Sequence, residues 1–125
     1  MPYRENSKMR IATRIAAEIG GGAGKFIEKT VTVKDGNYTV YVAVVYGDGN
    51  YERFSTLGKT VSSQHVRILI RGEQYTHMET EADIIRKTMT EKGYIPLSGI
   101  IGLEDIVLED GSNKKQIALD YKVLS

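Results

Sequence analysis

The spacing of apolar residues changes period along this chain, and that change limits what it can fold into. Ile11, Ile15 and Ile19 stand four apart with Ala12 and Ala16 beside them, which lays one apolar stripe along a helix. The period then drops to two. Tyr38, Val40, Val42, Val44 and Tyr46 alternate with Tyr41, Ala43 and Val45, and Val66, Ile68 and Ile70 alternate with His65, Arg67, Leu69 and Arg71. Helical spacing returns in Met78, Ala82, Ile85 and Met89, with Ile84 alongside. It yields again to Ile117, Leu119, Tyr121 and Val123, which alternate with Gln116, Ala118, Asp120 and Lys122. Helix stripes and strand faces must be buried against each other. The expected fold is therefore α+β: a largely antiparallel or mixed β-sheet covered on one face by two amphipathic helices, in a single domain over residues 1–125.

Local signals place the boundaries. The first helix is expected over about residues 6–19, capped by Asn6 or Ser7 and stopped by Gly20-Gly21-Gly22. Asp35-Gly36 reads as the centre of a tight hairpin between strands at 26–34 and 38–46. Apolar residues on both faces of the second of these mark it as central or covered on both sides. Gly47-Asp48-Gly49-Asn50 is a turn, and the polar stretch 51–64 reads as a short strand and then a mobile loop. The second helix is expected over about 77–92, with Thr76 and Glu79 at capping-box spacing and Gly93 as its stop. Residues 100–108 supply one or two short strands, residues 109–113 turn the chain, and the last strand reads as one buried and one wet face. Whether the strands flanking the second helix pair in parallel through a crossover is left open by the pattern.

Composition narrows the function classes. With no cysteine, the chain has no disulfide framework, no thiolate zinc site and no cysteine nucleophile, which permits a cytosolic or virion protein. Met1 to Asn6 lacks the apolar run of a secretory signal, and no stretch approaches the ~18 apolar residues of a membrane span. Lys and Arg total 17 against 16 Asp and Glu, so nucleic acid is not expected as the primary partner. The first fourteen residues are locally basic, through Arg4, Lys8, Arg10 and Arg14 against Glu5, and read as a solvated helix face.

No motif points to catalysis, and no cofactor is expected. Gly20 to Lys25 resembles a phosphate loop but has Ile19 where glycine is needed and Phe26 where Ser or Thr is needed, and it follows a helix rather than a strand. It reads as a flexible connection. His65 and His77 lack the partners a zinc site needs. The acids Glu79, Glu81 and Asp83 read as the opening turn of a helix, and Glu109 and Asp110 as a turn. Ser62, Ser63 and His65 lie outside any nucleophile elbow. Eight tyrosines without tryptophan are a stronger signal, because tyrosine suits half-wet surfaces and interfaces.

Val66-Arg67-Ile68-Leu69-Ile70-Arg71-Gly72-Glu73-Gln74-Tyr75, followed by the helix Met78 to Thr90, resembles the core of phage tail-terminator or tail-completion proteins, the phage minor capsid protein family. Tyr46-Gly47-Asp48-Gly49, the polar loop after it, the last strand Gln116 to Val123 and the N-terminal helix fit the same element order. The resemblance implies a structural protein of a virion, present in the host cytoplasm during assembly. It implies a ring of the chain's own copies, such as a hexamer, that ends the tail tube and joins it to head-completion proteins. It carries over no catalytic residue. Interface candidates are Arg67, Arg71, Tyr75, Tyr46 and Tyr51. Arg67 and Arg71 would sit on the helix-covered face, paired with carboxylates, or at a subunit contact. The alternative is a small binding module for single-stranded nucleic acid or a small molecule, supported by the basic first helix and the tyrosine-rich sheet.

Overall fold

Both helical stripes find the same partner, one face of a single sheet. The computed structural model describes the backbone of residues 3–46, 52–56, 59–97, 101–107 and 113–124, and the side chains of 11–46, 64–97 and 115–123. The element order is α1 (Tyr3–Ile19), β1 (Gly22–Ala23), β2 (Ile27–Val33), β3 (Gly36–Tyr46), β4 (Glu52–Thr56), β5 (Lys59–Gly72), α2 (Tyr75–Glu91), β6 (Ile95–Pro96), β7 (Ile101–Val107) and β8 (Asn113–Leu124). The chain is an α+β fold. Its strands form one mixed sheet with β3, β5 and β8 at the centre. Both β1 and β2 lie along one edge of β3, while β6 and β7 share the far edge of β8. Among the described residues only β1 and β3 pair in parallel. The strands flanking α2 do not pair with each other: β8 lies between β5 and β7 and is antiparallel to both.

The core is built from alternate residues of the central strands. Val40, Val42 and Val44, then Val66, Ile68 and Ile70, then Ile117, Leu119, Tyr121 and Val123 face Ile15, Ala16 and Ile19 of α1 and Met78, Ala82, Ile85 and Met89 of α2. Full burial of such side chains contributes roughly 1.5–3 kcal/mol each before entropy is counted. Two glycines are set by this packing. Gly72 lies under α2, where an added Cβ would come 2.9 Å from Met78 Cγ. At Gly22 a Cβ would come 2.2 Å from the Lys25 carbonyl oxygen. The Gly20 to Gly24 run is thus a shaped element that enters the sheet as β1, not merely a flexible connection. Gly20, at φ 74°, ends α1 in the left-handed conformation that L-residues resist.

Several boundaries differ from expectation. Helix α1 starts at Tyr3, which places Asn6 and Ser7 inside it. Helix α2 starts at Tyr75 after Gln74, whose side chain makes no cap bond, so Thr76 and Glu79 form no capping box. The early start also moves Glu79 and Glu81 out of the first turn. Glu81 is buried and Ile84 is 53% exposed, reversing their expected roles. The hairpin closes at Val33 opposite Gly36, so its two-residue loop is Lys34-Asp35, not Asp35-Gly36. The stretch expected as a mobile loop supplies the first half of β5, whose residues 59–63 pair with β4. Polar composition there does not prevent a regular paired strand.

One ion pair ties three elements together. Lys29 of β2 points under the helices, donates to the Ile19 carbonyl at the end of α1 (2.7 Å), and bonds the Glu81 carboxylate of α2. A second tie joins the helix ends on the surface. The Tyr94 hydroxyl lies 3.2 Å from both carboxylate oxygens of Glu18. Burial raises the Tyr94 phenol above its ordinary pKa, Arg14 opposes that shift and Glu18 adds to it.

Candidate functional site

The helices cover one face of the sheet, and the chemistry-bearing side chains gather on the other. On β5 the residues His65, Arg67, Leu69 and Arg71 project to the helix-free face, because alternate residues of a strand point opposite ways. The register then chooses their neighbours: Asp120 opposite Arg67, Ala118 opposite Leu69 and Gln116 opposite Arg71 on β8, with Ala43 opposite Leu69 and Tyr41 opposite Arg71 on β3. Neither arginine is on the helix-covered face.

Arg67 grips Asp120 with two nitrogens, Nε to Oδ1 at 2.7 Å and the terminal nitrogen to Oδ2 at 3.2 Å. This planar two-point contact is the geometry in which arginine binds a carboxylate best. His65 Nε2 lies 3.2 Å from the same Oδ1. Asp120 is only 4% exposed. Burial alone disfavours its charge, but the two Arg67 bonds and the Arg67 charge, with His65 close by, outweigh that and hold the carboxyl below its ordinary pKa.

Arg71 Nε donates to Gln116 Oε1 at 2.8 Å, and its guanidinium lies 4.1 Å from the centre of the Phe26 ring. Phe26 comes from the loop before β2 and overlies this face. The expected wet face of β8 is therefore not wet. Gln116, Ala118 and Asp120 are buried because β8 is a central strand and the β5 arginines fold over their neighbours.

The other candidates disperse. Tyr46 lies on the helix side, where its hydroxyl accepts from the Ala12 amide at 3.4 Å. Tyr75 opens α2, half-buried against the core, with Lys115 Nζ 4.9 Å from its ring centre. Tyr51 lies outside the described residues. Tyr121 is in the core, and Tyr41, on the helix-free face, is 38% exposed. The described tyrosines therefore do not form one stacking surface. Sequence reasoning missed Asp120, Gln116 and Phe26. The available signal was the charge match of Arg67 and Asp120, each on the polar side of an alternating strand.

A separate cleft of about 340 Å³ opens where β3 and β5 meet the start of α2, lined by Tyr38, Tyr41, Glu73, Gln74 and His77 among others. Tyr38 and His77 stack there, ring centres 3.6 Å apart and planes 15° apart. A hydrogen bond to Asp35, then partial desolvation and the charge of Asp35, raise the Tyr38 phenol above its ordinary pKa. Among the described residues no cluster of His, Asp and Glu has the geometry to hold a metal ion. No helix is long and apolar enough to cross a membrane among the described residues. Scanned against models of known protein families and against curated proteins, the chain matches none.

Proposed function

We propose that this chain is a structural assembly protein of a phage or prophage tail, which forms a ring of its own copies at the end of the tail tube and joins it to the head. The reading rests on its resemblance to tail-terminator proteins. The observation that supports it best is the helix-free face. There Arg67 and Arg71 are held in fixed geometry beside an exposed tyrosine, with no helix over them. Arginine and tyrosine are enriched at protein interfaces, and side chains already immobilised lose less entropy on association. In this reading the working part is surface, not a reactive cleft.

Size-exclusion chromatography with light scattering, run alone and with purified tail tubes, tests the reading. A closed oligomer of hexamer size, or ring-shaped caps on tube ends in electron micrographs, is the expected result. A chain that stays monomeric and leaves tube ends bare overturns it. The alternative, a module for single-stranded nucleic acid or a small molecule, draws on the Tyr38–His77 cleft. Steeply salt-dependent binding of single strands is the outcome that favours that alternative.

A further inference from the structure

Among the described residues β1, β2 and β4 have no strand beyond them on one side of the sheet, and β6 and β7 have none on the other; β2 and β7 are the longest of each set. We propose that copies of this chain join head to tail by pairing β2 of one with β7 of the next, continuing the sheet across the contact. This inference rests on the assembly reading and specifies its contact.

Direction comes first. β2, β5 and β7 run the same way, since each step from β2 to β3, β5, β8 and β7 is antiparallel. A copy placed beside another without reversing its strands brings β2 against β7 in parallel. The two edges are different surfaces, so the contact is heterologous, the type that closes into rings. Both strands are seven residues long, so neither edge outruns the other.

The hairpin register then gives the bonding groups on β2. Val33 and Gly36 close a two-residue loop, which makes them a hydrogen-bonded pair, and bonded pairs alternate from there. Val33, Val31, Lys29 and Ile27 therefore spend their amides and carbonyls on β3. Thr32, Thr30 and Glu28 aim theirs outward, away from β3. Proline, bulges and charged side chains, inward-pointing ones included, are common ways of blunting such an edge. β2 has no proline and keeps an unbroken register with β3, and the charge of its inward-pointing Lys29 is engaged by Glu81.

One further observation points to the same ends of the sheet. Among the described residues the large exposed apolar side chains are Ile27, Tyr41, Ile84, Ile95 and Leu97. Ile27 and Tyr41 lie on the β2–β3 side, and Ile95 and Leu97 lie at β6, which shares the far edge with β7.

Thr30→Pro removes an outward amide without touching the β2–β3 ladder. The expected result is an unchanged circular-dichroism spectrum and unfolding transition with loss of the assembled species. Because the chain has no cysteine, engineered pairs give a second, independent measurement. Thr30→Cys combined in turn with Leu103→Cys, Glu104→Cys or Asp105→Cys should, on oxidation, give a ladder of covalent oligomers beyond the dimer for at least one pair. Thr30→Cys alone should stop at dimers. If Thr30→Pro fails to fold, the ladder decides. Assembly by a folded Thr30→Pro, or the absence of any ladder beyond dimer while the wild type assembles, overturns the edge contact and leaves the ring reading standing. A wild-type chain that stays monomeric with tail tubes present overturns both.

Discussion

Asp120 carries its charge almost out of water, and that has a consequence for acid stability. Its folded pKa lies below the ordinary carboxylate value, so its stabilising contribution is complete above about pH 4 and fades as pH falls through the lowered folded value. Asp120→Asn should therefore cost about 1–3 kcal/mol at neutral pH, the range for charge-assisted bonds. The deficit relative to wild type should shrink toward zero in urea titrations repeated at about pH 2–3. An equal deficit at both pH values would mean that the carboxylate charge contributes nothing. Gly72 illustrates a different constraint, one of space. Gly72→Ala pushes a methyl into buried Met78 and should cost about 1–3 kcal/mol by chemical denaturation. Met78→Ala should cost less in that background than alone. The first effect was partly legible, since Arg67 and Asp120 are complementary. The second was not, because an Arg-Gly step at a strand end does not announce the methionine six residues later that lies over it.

The helices and strands were legible wherever one period ruled. Ile15, Ile19, Met78, Ala82, Ile85 and Met89 are buried, as their spacing predicts. The pattern misled where a polar residue had a partner from another element. Glu81 reads as a surface acid by type, yet it is 2% exposed because Lys29 reaches under α2 to meet it. Strand 59–63 reads as a loop because four of its five residues are polar or charged, yet β4 pairs with it. The Lys29 contact also gives a prediction at this scale, since it joins the end of α1 to β2 and α2. Lys29→Met strands a buried carboxylate and an uncapped helix carbonyl, and should cost about 3–5 kcal/mol. Lys29→Met with Glu81→Leu should recover most of that loss, because it removes the stranded charge too. Denaturant midpoints of the two singles and the double measure the coupling directly. Additive losses would show that the pair does not act as a unit.

Fold class follows from the alternation of periods, but strand order does not. Nothing local says that the last strand enters between β5 and β7, and that insertion changes what the helix-free face is. It buries Gln116, Ala118 and Asp120, and it converts two arginines that look free in sequence into groups held by β8. Arg71 is the more informative of the two for the molecule as a whole. Its bond to Gln116 of β8 and its position over Phe26 lie beside Tyr41 on the helix-free face, two strands in from the β2 edge. Within one chain these are partly exposed contacts, so Arg71→Ala should lower stability by only about 1 kcal/mol. If the helix-free face takes part in the proposed assembly, a neighbouring copy covers this side chain, and an arginine that acts as a hot spot costs about 2 kcal/mol or more on truncation, more than tenfold in affinity. Light scattering over a dilution series should therefore show the Arg71→Ala oligomer dissociating at least about tenfold earlier than wild type, at nearly unchanged melting temperature. Equal dissociation of the two proteins would confine Arg71 to a role within its own subunit and take the helix-free face out of the contact, without bearing on the β2–β7 edge pairing.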